Sequence, residues 1–311
     1  MEILKKLIDL DNYPVSNILK ELLKDKTTGK NIIFATNAYM DRIPPITERA
    51  HITVDVLSGF NEFVLQPRVA KSLEMQNERT KKKAEVFTPS WICNKMNNHC
   101  DAEWFGREGV FNIEKNKDWE PTKDKVAFEK DKDWQKYVDS KRLEITCGEA
   151  PYVISRYDTT TAEIIPIERR IGILDRKLRV VNENTETEEE WLKWVYRAYQ
   201  SCYAYEFQGD NLLIARINAI DTFVEYLKYR WDRDATDNEL KKIANIIVWN
   251  FWQMDGIKGT VPFGEVKEEY PQMSFFDYTQ GGAVVEKETV ECKIRDWRSN
   301  ETVLYNSLRE G

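Results

Sequence analysis

Apolar residues recur at helical spacing near the start of the chain: Ile3, Leu4, Leu7 and Ile8, then Val15, Ile18, Leu19, Leu22 and Leu23. Asp11-Asn12-Tyr13-Pro14 interrupts the series, so the pattern predicts two short helices. Between Asn31 and Pro67 the pattern is mixed, although Ile52, Val54 and Val56 alternate as in a strand. Arg79-Thr80-Lys81-Lys82-Lys83 reads as a solvated linker and marks the clearest boundary. Beyond it, Thr88-Pro89-Ser90 leads into Trp91-Ile92-Cys93-Asn94-Lys95-Met96, a turn followed by a helix with Thr88 as cap and Pro89 at the first helical position. Residues 112–141 are dense in Lys, Asp and Glu with little periodicity, and read as an exposed insertion.

From Arg142 strands and helices alternate. Leu143-Glu144-Ile145 predicts a short strand ending in a loop of small residues, and Thr187-Glu188-Glu189-Glu190 a capping box ahead of Trp191, Trp194, Val195 and Ala198 on one helical face. Tyr203-Ala204-Tyr205-Glu206 is the next strand, Leu212 to Trp231 a long helix and Asp237 to Ile247 another. Asn250 to Asp255 fits either a strand or that helix's continuation. Near the end, Val284-Val285 and Val290-Glu291-Cys292-Lys293-Ile294 are strand-like. Such alternation favours an α/β sheet with helices on its faces.

Composition narrows the classes. A length of 311 residues allows one large domain or two modest ones. No uncharged apolar run approaches the ~18 residues of a membrane span, and Met1-Glu2-Ile3-Leu4-Lys5-Lys6 reads as a helix start, so the expected location is cytoplasmic. Five scattered cysteines and two histidines suggest neither a disulfide framework nor a zinc site. A net charge of −7 argues against strong DNA binding by this chain alone, because non-specific affinity comes from neutralising phosphates. Ten tryptophans suit a core and also an interface.

The candidate chemistry sits at two predicted strand ends. Glu144 closes the first strand and is followed by a loop in which Gly148 lets the backbone approach a ligand, the arrangement by which open α/β sheets build crevices. Glu206 closes the second, where a carboxylate suits a pair of ribose hydroxyls. With Phe87-Thr88-Pro89 ahead of them and Ala215-Arg216 beginning nine residues after Glu206, these features resemble the adenine-N6 DNA methyltransferases of restriction–modification systems, in the subgroup whose Phe-Thr-Pro-type motif precedes the cofactor motifs.

The resemblance covers roughly residues 84–260. It implies a Rossmann-like fold that binds S-adenosyl-L-methionine, its sheet partial or shared, after a mainly helical N-terminal region at 1–83 and before a C-terminal segment at 261–311. Carried over residue by residue, it places Phe87, Thr88 and Pro89 at the methionine end of the cofactor. Glu144, Thr146, Cys147 and Gly148 fall in the strand-one motif, Glu206 at the ribose with Phe207 beside it in the cofactor site, and Asp255 at the adenine amino group. Ile145 stands where the family has Pro, and Ala150 where it has a second Gly.

The family's catalytic turn, Asn/Asp-Pro-Pro-Tyr/Phe, is missing. The only Pro-Pro pair, Pro44-Pro45, precedes every cofactor motif, and Thr260-Val261-Pro262-Phe263 offers Thr where Asn or Asp is required. The resemblance therefore implies a split enzyme with no catalytic residue in this chain. A second methyltransferase subunit would supply the turn and target recognition, double-stranded DNA would be met through the complex, and Trp252, Phe263 and Val290–Trp297 would lie near the docking surface. Competing classes are a non-catalytic regulatory or binding protein on the same scaffold, and a methyltransferase acting on protein or RNA.

Overall fold

The computed structural model describes residues 7–42, 44–58, 65–70, 88–263 and 290–309. Phe87, the Arg79–Lys83 cluster, Ile3, Leu4 and Val284-Val285 lie outside them. Three strands, β3 (Arg142–Glu144), β4 (Cys202–Glu206) and β5 (Phe251–Gln253), form a parallel sheet in the order β3-β4-β5. Parallel neighbours need long crossovers. Here these are the helices α5 (Ile173–Asn184) and α6 (Glu188–Gln200), then α7 (Gly209–Trp231) and α8 (Asp237–Asn250). The ambiguous stretch after Asp237 is therefore both a helix and a strand, meeting at Phe251. The whole is a mixed α/β structure in which two small antiparallel hairpins accompany the parallel sheet.

Side-chain alternation along a strand assigns each face its own cover. Cys202, Ala204 and Phe251 enter the main core with the helices, whereas Tyr203, Tyr205 and Trp252 enter a second cluster with Met254, Val261, Cys292 and Ile294. That cluster lies under the hairpin of β6 (Lys293–Asp296) and β7 (Glu301–Leu304), so the C-terminal segment closes over its own sheet. Helix α7 is buried over most of its circumference, as a helix through the middle of a core must be.

The N-terminal residues belong to the same core. Helix α1 (Val15–Leu22) buries Val15, Ile18, Leu19 and Leu22 against it, matching the spacing in the sequence. Ile52 to Val56 does not form the strand its alternation suggests; a short helix α2 (Val54–Ser58) stands there, and just before it His51 bridges Ile33 as a strand partner. Residues 112–141 are also more ordered than their charge suggests. They form a hairpin, β1 (Asn112–Lys115) and β2 (Asp118–Pro121), and helix α4 (Asp133–Asp139), pinned by buried Trp119, Val126, Trp134 and Tyr137. A few apolar anchors hold that segment while its charges face water. Among the described residues no helix is long and apolar enough to cross a membrane.

Candidate functional site

The parallel register sets Glu144 beside Ala204 and Glu206 beside Gln253, which lines up three polar side chains at the carboxyl ends of the sheet. The loop leaving β3 is tightly wound: Thr146, Gly148 and Ala150 all take left-handed backbone conformations, with φ of 47°, 56° and 63°. Only glycine adopts this without strain, so Ala150 bears a cost that a glycine there would avoid. The Cys147 N–H extends the β3–β4 ladder to the Tyr205 carbonyl at 2.9 Å.

This winding delivers the Gly148 N–H to Glu206 Oε2 at 2.8 Å, while the Gln208 N–H reaches Oε1 at 3.0 Å. Glu206, only 7% exposed, is thus oriented by backbone donors from both sides of the crevice. Glu144 points into its own loop, accepting the N–H groups of Tyr152 (3.4 Å) and Val153 (3.0 Å). These two bonds fix the shape of the loop. Cys147 is buried and its thiol is pushed well up by burial, which removes it as a nucleophile.

Burial raises the Glu144 carboxyl from 4.5 to about 8, partly opposed by its two backbone donors and reinforced by Glu206. Between those values the folded chain holds a proton that the unfolded chain has released. The contribution to stability is therefore complete below about 4.5 and lost as pH rises through about 8. Asp221, raised by burial to about 6, acts in the same sense but is common to both proteins in a comparison with Glu144→Gln. Urea unfolding across this window is expected to show wild-type stability falling more steeply with pH than that of the variant. Parallel curves would assign the titration to another group.

Thr88 is hydrogen-bonded to the Tyr152 hydroxyl, two residues beyond this loop. Helix α3 (Ser90–Phe105) begins one residue later than the sequence suggests, and Pro89 occupies the position before it. Its cap comes from a distant residue: Asp158 Oδ2 accepts the Ser90 N–H at 2.7 Å. The Thr88 carbonyl accepts from Thr159 Oγ1 and Cys93 Sγ. Cys93 in turn feels the charges of Glu144 and Asp158, which with burial push its thiol up. A cleft of about 450 Å³ lined by Pro89, Ser90, Trp91, Asp158 and Thr160 opens beside this junction. A second cavity of about 510 Å³ lies among Phe111, Trp119, Arg170 and Arg179, and neither of the two receives a residue from the three strands.

Phe207 lies edge-on to Phe263 with ring centroids 5.6 Å apart, and the Arg49 guanidinium covers Phe263 at 4.8 Å. Asp255 is engaged locally: its Oδ1 accepts the N–H groups of Ile257 (3.1 Å) and Lys258 (3.2 Å), closing the turn after β5. Thr260 is buried and bridged on both sides, to Asp255 and Glu291. The structure thus brings Gly148 and Glu206 together, places Thr88 and Pro89 at the start of α3 and Phe207 against Phe263, and sets Asp255 in a turn of its own.

A wall of the site that the sequence does not reveal comes from the N-terminal region. Gln253 clasps Ile33 through both its backbone groups, at 2.9 and 2.8 Å, and Gly209 N–H donates to the Phe34 carbonyl at 3.0 Å. A Cβ on Gly209 would sit 2.0 Å from the Ile33 oxygen, so only glycine permits this crossing. Tyr39 adds a 2.6 Å bond to Asp210. These contacts join residues about 170 to 220 positions apart, a separation no local motif signals.

Chemically, the site offers carboxylate and backbone acceptors and donors with flanking aromatics. The Cys147 thiol is not activated, and among the described residues no group of His, Cys, Asp and Glu could hold a metal ion. Such a site is suited to gripping a polar ligand. Comparison with protein-family models, with curated proteins and with solved structures finds no match to this chain.

Proposed function

We propose that this chain is the S-adenosylmethionine-binding subunit of a heteromeric adenine-N6 DNA methyltransferase. The observation that carries the reading is the Gly148–Glu206 contact. The glycine of the first motif and the acid of the second, 58 residues apart, meet at the carboxyl ends of adjacent parallel strands, where open α/β sheets bind their ligands. The strand order β3-β4-β5 is compatible with one half of a Rossmann-like methyltransferase sheet. In this reading Glu206 accepts the ribose hydroxyls, Gly148 lets the backbone come close to the cofactor, and Thr88-Pro89 borders the methionine end. When bound, the cofactor supplies an electrophilic methyl group, and the chain's own residues orient it and exclude water.

Calorimetric titration of the full chain with S-adenosylmethionine tests this. Binding is expected, and Glu206→Ala should weaken it by about 1–3 kcal/mol, roughly 5- to 150-fold, because the ribose hydroxyls lose their acceptor. Equal binding by both proteins, or none by the wild type, would remove the assignment.

A further inference from the structure

The parallel sheet ends abruptly at β3. Arg142 and Glu144 face β4, as the Arg142 N–H bond to the Ser201 carbonyl shows, so strand geometry turns the backbone groups of Leu143 outward. Among the described residues nothing pairs with them. Leu143 and Ile145, which follows the strand's end, are bare as well, at 48% and 61% exposure, although Leu143 stands in register with Tyr203, which is buried beneath the β6–β7 hairpin. The hairpin covers β4 and β5 and leaves the apolar strip on β3 open. Parallel strands are ordinarily enclosed, and an uncovered edge carrying aliphatic side chains is a template for another strand.

We infer that the outer edge of β3 receives an extended apolar strand from a second chain, which continues the sheet past Leu143 and Ile145. The choice of occupant rests on the split-enzyme reading. A strand lying parallel to β3 ends beside the Cys147–Gly148 loop, so whatever turn follows it is delivered to the cofactor crevice. A second copy of this chain fits less well. Its own β3 offers three residues, Arg142–Glu144, for pairing, and each copy carries a net charge of −7 that opposes association. The Val290–Trp297 segment is already committed to its own sheet, which moves the docking surface from the C-terminal segment to the opposite end of the sheet.

The test places a photo-reactive benzoylphenylalanine at Leu143 of the full chain, co-expressed with its neighbouring reading frames, and maps the adduct by mass spectrometry. The expected adduct is a hydrophobic segment immediately preceding Asn/Asp-Pro-Pro-Tyr/Phe. In parallel, a Leu143→Lys variant should weaken co-purification of that partner by about 10-fold, with melting temperature and cofactor binding unchanged. Undiminished co-purification by this variant, an adduct between two copies of this chain, or no adduct at all would overturn the inference. An adduct on an extended segment without the Pro-Pro turn would preserve the docking edge and remove the methyltransferase reading. Loss of cofactor binding by the wild type bears on that reading alone.

Discussion

Arg216→Ala is expected to cost about 3–5 kcal/mol of folding stability, at the upper end of what single substitutions do. The side chain is completely buried and donates to the carbonyls of Leu22 (2.6 Å), Lys24 (2.9 Å) and Phe251 (2.7 and 2.9 Å). Leu22 ends α1 and Phe251 opens β5 directly after α8, so one guanidinium satisfies carbonyls at two helix ends that have no intrahelical partner. Burial lowers its pKa to about 10, which leaves it charged at neutral pH. Alanine would strand those carbonyls in the core and leave a cavity. Lysine keeps the charge without the planar fork and should fall between the two. Urea denaturation decides it: a midpoint close to wild type for Arg216→Ala would mean that water replaces the guanidinium at little cost.

Methyl transfer to DNA adenine is expected to be undetectable with the purified chain and to appear when a partner carrying Asn/Asp-Pro-Pro-Tyr/Phe is added. An exocyclic amino group is a poor nucleophile until acceptors position it in line with the methyl group. In this chain no Asn or Asp precedes a Pro-Pro pair, and Thr260, the nearest substitute, is buried and bridged to Asp255 and Glu291. The remaining candidates for proton transfer at the strand ends are carboxylates already bonded to backbone N–H groups. Transfer of labelled methyl from S-adenosylmethionine to DNA, with the chain alone and with its neighbouring gene products, is the measurement. Robust methylation by the single chain would end the split-enzyme proposal and direct attention to the Pro262-Phe263 turn.

Local elements were legible in the order of residues alone. Period and capping chemistry located α1, α6, α7 and α8 to within a few residues, and the strand-like runs at Leu143 and Tyr203 lie in the parallel sheet. Those signals act over a turn or two of chain, which is why a sequence displays them. The capping box shows the limit of even local reading. Thr187 accepts from the Glu190 N–H, but the reciprocal pair forms at Thr236 and Glu239, where the Arg233 guanidinium also holds the Glu239 carboxylate.

The remaining features emerged only on folding, because the partners are remote in sequence. Nothing near Ser90 announces that Asp158 caps its helix, and nothing near Gly209 announces that Ile33 crosses above it. Residues 112–141 read as loose because their charges outnumber their anchors, yet burying Trp119, Trp134 and Tyr137 suffices to fix them. The bare edge of β3 was equally hidden. Leu143 and Ile145 look like core residues in any pattern of apolar positions, and only the strand order shows that no strand among the described residues lies beyond them.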